Sequence, residues 1–283
     1  MSKLNEFLNK TGLTGASIAR SLGVSTATVS KVRNGKLDTI DQQTLAKFDD
    51  YIKNYQKRTT KQLSDLVKTT DLKGIEFTCN EIIVAGEMGV IYGKAGMGKT
   101  QAIKHFVANH PEAILIETLP MLSGKELLKQ ILEGMGVIDS QGTANELTHR
   151  IVSILKRTDR VLIIDEAENL TTNNLELIRR IHDFSNIPVV LTGTNALIQN
   201  LKGRQGELLQ LSSRIMHQWE MQGLNDKDLA NLFGESGKLI SKYSSDIRRA
   251  SSIYRKSMRL ADLSNEPMNA NHIKMAAQTA ILN

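Results

Sequence analysis

Residues Gly93-Lys94-Ala95-Gly96-Met97-Gly98-Lys99-Thr100 set a glycine, four residues, then Gly-Lys-Thr. The apolar run Met88–Tyr92 precedes them and a helix-compatible run, 101–109, follows. Glycines at this spacing let successive backbone N–H groups turn inward around a phosphate, and a helix starting there adds the positive end of its dipole. In such a loop Lys99 would place an ammonium on the β- and γ-phosphates of ATP, and Thr100 would offer a hydroxyl to Mg²⁺. Gln101, the first residue of the following run, completes the stretch expected to hold the nucleotide.

A second constellation is Val161-Leu162-Ile163-Ile164-Asp165-Glu166, four apolar residues running straight into two carboxylates. At the C-terminal end of a strand, where open α/β sheets place ligands, Asp165 would hold Mg²⁺ through its water shell. Glu166 would orient and polarise the water that attacks the γ-phosphate. The sixty-five residues from Thr100 to Asp165 leave room for a strand and helices between the two motifs.

The elements that must position these groups follow from the apolar pattern. Strands are expected at 88–92, 114–117, 161–164, 189–192 and 215–221, with helical patterns in the gaps, such as 125–132 and 146–156. Nearly continuous apolar strands alternating with helices imply a parallel sheet buried on both faces. After Leu224 the pattern is helical: 226–233, 238–243, 246–261 and 270–282. The reading divides the chain into a small all-α domain at 1–53, a polar linker with one short helix at 54–80, an α/β core at 81–223 and a helical lid at 224–283.

Composition narrows the partners. The 283 residues include 40% apolar, 23% charged and 4% aromatic side chains, ordinary for two or three globular domains. No apolar run approaches the roughly 18 residues of a membrane span, and the N-terminus lacks the apolar centre of a signal peptide. A single cysteine, Cys79, leaves no internal disulfide and no multi-cysteine metal site. A soluble cytoplasmic protein is expected, without a membrane partner. Residues 1–68 carry twelve Lys/Arg against six Asp/Glu, and 238–259 carry seven against one, so both ends of the chain suit a polyanion.

Within the first domain, Gly15-Ala16-Ser17-Ile18-Ala19 leads through Gly23 to Ser25-Thr26-Ala27-Thr28-Val29-Ser30-Lys31-Val32-Arg33-Asn34-Gly35. Small Ala19 permits close helix crossing, Gly23 supplies a left-handed turn, and Val24, Val29 and Val32 fall on one face. These thirty or so residues resemble the helix-turn-helix of phage repressor-type DNA-binding domains. The resemblance implies that the second helix enters the major groove of double-stranded DNA, with Ser25, Thr26, Thr28, Ser30, Lys31 and Arg33 able to reach phosphates or base edges. A docking module without DNA contact is the alternative.

The two nucleotide motifs together resemble the AAA+ P-loop ATPases. This resemblance implies a five-stranded parallel sheet with a helical lid, and three further positions. Val189-Val190-Leu191-Thr192-Gly193-Thr194-Asn195 matches the strand ending in a polar first sensor, assigned to Thr194 with Asn195 close behind. Leu211-Ser212-Ser213-Arg214-Ile215 resembles the segment carrying an arginine finger supplied to a neighbour's ATP, with Arg204 as the competitor for Arg214. Asp246-Ile247-Arg248-Arg249-Ala250 resembles the lid helix with a second sensor, assigned to Arg248. A finger acting in trans implies a homo-oligomer.

The order of head, linker, AAA+ core and short lid resembles the phage Mu transposition protein B family. That family implies an ATP-dependent, largely sequence-nonspecific DNA-binding ATPase, stimulated by DNA and transposase. It implies a ring or helical filament on DNA that selects target DNA for the transposase. Lys125 and Lys129, after the second strand, and Arg179 and Arg180, after the Asp-Glu motif, are the candidate phosphate contacts of a DNA channel. A helicase loader, an ATP-gated transcription regulator and a protein-docking ATPase remain as alternatives.

Overall fold

The computed structural model describes residues 4, 18–19, 22–35, 40–60, 67–138, 140–202 and 208–280. The chain divides into two compact units, Met1–Leu66 and Val67–Asn283. In the first, helix α1 (Thr26–Arg33) starts at Ser25, whose hydroxyl accepts from the Thr28 N–H at 3.0 Å. Gly23, at φ +67°, turns the chain ahead of it, and Val24 N–H donates to the Ala19 carbonyl at 3.0 Å. Helix α2 (Gln42–Thr60) follows, its start tied by Asp41 Oδ1 to the Thr44 N–H at 2.8 Å. Leu4, Ile18, Ala19, Val29, Val32, Phe48 and Ile52 are the buried core. Most of the expected first helix of the helix-turn-helix lies outside the described residues.

In the second unit, helix α3 (Thr70–Ala85) leads into strand β1 (Met88–Tyr92). Helix α4 (Lys99–Asn109), β2 (Ala113–Glu117), α5 (Gly124–Gly134), α6 (Ala144–Leu155), β3 (Val161–Asp165), α7 (Thr172–Ser185), β4 (Val189–Gly193) and α8 (Asn195–Lys202) follow. A short α9 (Leu209–Ser212) precedes β5 (Ile215–Glu220), and α10 (Asp226–Phe233), α11 (Gly237–Ile240), α12 (Ile247–Ser264) and α13 (Ala270–Ala280) complete the unit. The five strands pair in parallel in the order β2-β3-β4-β1-β5.

Strand alternation distributes the core. Val161 and Ile163 join Ile91, Val190 and the helices α3 and α4 on one face. Leu162 and Ile164 join Val90, Leu191 and the helices α5 to α8 on the other. Because both faces are covered, the strands need apolar residues at successive positions, the pattern visible in the sequence. The lid closes around its own core of Leu229, Phe233, Ile240, Ile253 and Ile273. Among the described residues, no helix is long and apolar enough to cross a membrane.

The expected linker at 54–80 is corrected. Its start continues α2 to Thr60, and its end is most of α3. Leu72, Ile75, Cys79 and Ile82 form the buried stripe of α3 at helical spacing, packed under the sheet. Gly74 lies against the Trp219 ring so closely that a Cβ there would fall 2.1 Å from Cζ2. Buried Asp71 accepts hydrogen bonds from the backbone N–H groups of Gln222 (3.0 Å) and Gly223 (2.8 Å), and from Trp219 Nε1 (3.3 Å). The α/β unit therefore begins at this helix, fastened to the junction between β5 and the lid.

Candidate functional site

Strand β1 delivers the chain to Gly93, whose N–H donates to the Gly193 carbonyl at 3.3 Å and so seats the loop beside the end of β4. Gly96 and Gly98 take φ of +87° and +96°, a region glycine enters without steric cost. Gly98 is the N-cap of α4 and provides no side-chain acceptor, so the first-turn N–H groups face the loop uncapped. Lys94 and Ala95 are exposed at the loop tip, and Met97 packs beside Gly93. Thr100 is half-buried in the first turn of α4 and Gln101 is exposed after it.

Lys99 reaches back along the loop, its Nζ donating to the carbonyls of Gly93 (2.8 Å) and Lys94 (3.0 Å). Burial lowers its pKa from the ordinary lysine value, while the carboxylates of Glu168, Asp165 and Glu166 oppose that shift and Arg248 adds to it. The ammonium thus shares one electrostatic environment with three carboxylates and a lid arginine.

Asp165, 2% exposed, ends β3. Its Oδ1 accepts from the Thr192 hydroxyl and from the Glu166 N–H, the latter at 3.0 Å. Glu166 is exposed with φ +55°, a left-handed turn that a glutamate adopts at a cost, and Asn169 Nδ2 donates to its Oε2 at 3.3 Å. Beneath this turn, buried Thr118 donates its hydroxyl to the carbonyls of Asp165 (3.0 Å) and Glu166 (2.7 Å). Among the described residues no group of three or more His, Cys, Asp or Glu could hold a metal ion unaided. Mg²⁺ binds through few protein groups and completes its shell with phosphates and water, so the chemistry of one carboxylate, Asp165, and one hydroxyl, Thr100, would suffice to hold it.

The lid meets the loop directly. Arg248 N–H donates to the Gly96 carbonyl at 3.2 Å, and Asp246, the N-cap of α12, accepts from the Arg249 N–H at 3.0 Å. A Cβ on Gly96 would fall 2.2 Å from Asp246 Oδ2. Glycine is required at this position both by its φ and by the carboxylate beside it.

Other expected residues are distributed differently. Thr194 sits at the end of β4, and its N–H donates to Glu168 Oε1 at 3.0 Å. The hydroxyl that reaches Asp165 belongs instead to Thr192, which the sequence signals as a polar residue inside an apolar strand. Arg214 pairs through Nε with Asp183 Oδ1 at 3.0 Å, its side chain 49% exposed, while Arg204 lies outside the described residues.

Lys125 is exposed and Lys129 half-buried on α5, and Arg180 is 61% exposed on α7. Arg179 is a correction: only 11% exposed, it is paired with both Glu176 and Asp183. A DNA phosphate would have to displace two carboxylates from a largely buried guanidinium, so an internal structural role replaces the expected DNA contact. In the head, Ser25, Thr26, Ser30, Lys31 and Arg33 are exposed along α1, with Thr28 partly covered. Glu168, Thr118 and Thr192 are the site residues that motif reading passed over.

Comparison with known proteins agrees with this geometry. Residues 84–201 match the family described as an AAA domain. The chain is 28% identical over 206 residues to the Mu-like prophage FluMu DNA transposition protein B of Haemophilus influenzae, the match covering 72% of each chain. It is 26% identical over 204 residues to the ATP-dependent target DNA activator B of Escherichia phage Mu, covering 70% of this chain and 65% of that one. Among solved structures, the Aeropyrum pernix ORC2 protein, in its ADPNP-ADP complexes, superposes with a TM-score of 0.59 at 14% identity. That match covers 77% of this chain and 69% of the other.

Proposed function

We propose that this chain, an AAA-fold relative of the Mu-type transposition B proteins, is an ATPase that assembles on duplex DNA and delivers target DNA to a transposase. The observation that carries the reading is the glycine loop after β1: Lys99 reaches back to the Gly93 and Lys94 carbonyls, the Asp165-Glu166 pair ends β3 in the same sheet, and the Arg248 N–H bonds the lid to Gly96. Convergence of a phosphate-binding lysine, acceptors for a metal and water, and a lid cation suits triphosphate hydrolysis. The relatives' names, DNA transposition protein B and ATP-dependent target DNA activator B, point to the task.

In this reading the loop N–H groups and Lys99 hold the β- and γ-phosphates. Mg²⁺, held by Thr100 and Asp165, would neutralise phosphate charge. Glu166 would turn from Asn169 to orient the attacking water, with Thr194 beside the γ-phosphate and Arg248 above it. Arg214 of a neighbouring copy would complete the site, which makes hydrolysis depend on assembly. Lys125, Lys129 and Arg180 would meet phosphates along the channel, and the exposed face of α1 would make further contacts. Phosphate contacts carry no sequence information, so binding should be weakly selective and salt-sensitive.

Electron microscopy of the protein with plasmid DNA, with and without a non-hydrolysable ATP analogue, tests the reading. Analogue-dependent coating of DNA irrespective of sequence is expected, lost in Lys99→Ala and stabilised against ATP in Glu166→Gln. Discrete complexes at one site would transfer the assignment to an ATP-gated regulator. Absence of any DNA complex would transfer it to a protein-docking ATPase.

A further inference from the structure

Glu168 is the carboxylate that the two nucleotide motifs leave without a role, and its surroundings are unusual. One oxygen, Oε1, accepts the Thr194 N–H at 3.0 Å. The other, Oε2, is buried and has no hydrogen-bond partner among the described residues. The backbone is held as well, because Asn200 Nδ2 donates to the Glu168 carbonyl at 3.1 Å. Gly193 makes room for the side chain, since a Cβ there would fall 2.4 Å from Oε2. Gly193 in turn accepts the N–H of Gly93, so the carboxylate stands beside the first residue of the phosphate loop. Of the three carboxylates acting on the Lys99 ammonium, Glu168 acts most strongly, ahead of Asp165 and Glu166.

Burying a carboxylate oxygen without a partner is costly, and a group so placed calls for an explanation, a functional one among them. We infer that Glu168 discriminates between nucleotides carrying and lacking a γ-phosphate, by repulsion from a fixed negative charge at the γ-phosphate end of the loop. Lys99 attracts the terminal phosphate while Glu168, held against Gly193 and the Thr194 N–H, opposes the added charge. The site then holds a triphosphate less tightly than its cations alone would allow. A diphosphate, lacking the group nearest Glu168, escapes most of that opposition. The inference rests on the nucleotide-site reading above and deepens it.

The test is equilibrium binding of fluorescent ADP and of a fluorescent non-hydrolysable ATP analogue to the full chain in Mg²⁺. Glu168→Gln keeps the volume and an oxygen for the Thr194 N–H but removes the charge. It should tighten the triphosphate analogue at least tenfold and leave ADP within threefold of the parent. Glu168→Ala, which removes the charge with the side chain, should shift the ratio the same way, and it serves if Glu168→Gln does not fold. Parallel changes for both nucleotides would show a merely structural residue, and weaker binding of the triphosphate would show a supporting one. Either result overturns the inference while leaving the ATPase reading intact. If the parent chain binds neither nucleotide, the ATPase reading fails and this inference with it.

Discussion

Substituting Gly96 by alanine should disconnect the lid from the phosphate loop. At φ +87° an L-residue in the left-handed region costs about 1–2 kcal/mol before any contact is considered. The new Cβ would also lie 2.2 Å from Asp246 Oδ2, so the carboxylate that caps α12 must move. Losing an N-cap hydrogen bond costs about 1 kcal/mol more. If the chain relieves this strain by abandoning the closed loop, about 2–3 kcal/mol is taken from nucleotide binding, or roughly a 30- to 150-fold rise in Kd at 1.4 kcal/mol per decade. Fluorescent nucleotide titration reads the effect directly. Gly136→Ala is the control: φ there is +81°, but nothing lies within 4 Å of the added Cβ. It should lower thermal stability without changing nucleotide affinity. Asp246→Ala alone loses the cap without the backbone strain and should show only the cap's share, about a fivefold rise in Kd. Parental nucleotide affinity in Gly96→Ala would refute the reasoning, because neither the strain nor the displaced cap would then bear on the site.

Gly74→Ala should destabilise the α/β unit by about 1–3 kcal/mol in denaturant unfolding, since the added methyl meets the Trp219 ring at 2.1 Å and the indole is tied to Asp71 through Nε1. A neutral result would place α3 elsewhere than under the sheet edge. Arg248→Ala should weaken ATP binding by the isolated chain, whereas Arg214→Ala should leave binding intact and abolish hydrolysis by the assembly. Reversed phenotypes would exchange the two roles. The hydrogen bond from Arg179 lowers the Glu176 carboxyl below its usual 4.5. Its stabilising contribution is therefore complete above that value and is lost as pH falls through the lower folded pKa. Glu176→Gln should flatten the acid limb of a Tm-versus-pH profile, and an unchanged limb would show the ion pair to be inconsequential. Lys125→Ala should reduce the dependence of log K on log salt by about one, the signature of a single lost phosphate contact. An unchanged slope would remove Lys125 from the DNA interface.

Much of the nucleotide site was legible because its information is local. Eight consecutive residues specify the loop, and two of its three glycines, Gly96 and Gly98, adopt positive φ. The Asp165-Glu166 pair was legible for a related reason: the apolar run Val161–Ile164 must be a buried strand, and a strand's end fixes where its next side chains emerge. The linker expectation failed at α3 because lysines and threonines dominate the stretch before it and diluted the pattern. The stripe Leu72, Ile75, Cys79, Ile82 nevertheless obeys helical spacing and could have extended the unit. Arg179 was misread because a sequence lists a cation without its partners. Glu176 and Asp183 stand three and four residues away on the same helix, close enough to have suggested the pairing.

The sequence by itself determined the loop, the order of strands and helices along the chain, and the end of β3 at which carboxylates emerge. Each of these depends on backbone preference and on periodicity within a few residues. Only the tertiary structure decided that Thr192 reaches Asp165, that the Glu168 carboxylate acts on the Lys99 ammonium, and that Asp246 fills the space a Gly96 side chain would need. Those partners are separated by 27, 69 and 150 residues. They meet only because β4 lies between β3 and β1 and the lid folds back over the loop. Propensity and spacing act along the chain, whereas the charges around a phosphate are set by which strand ends the sheet brings side by side.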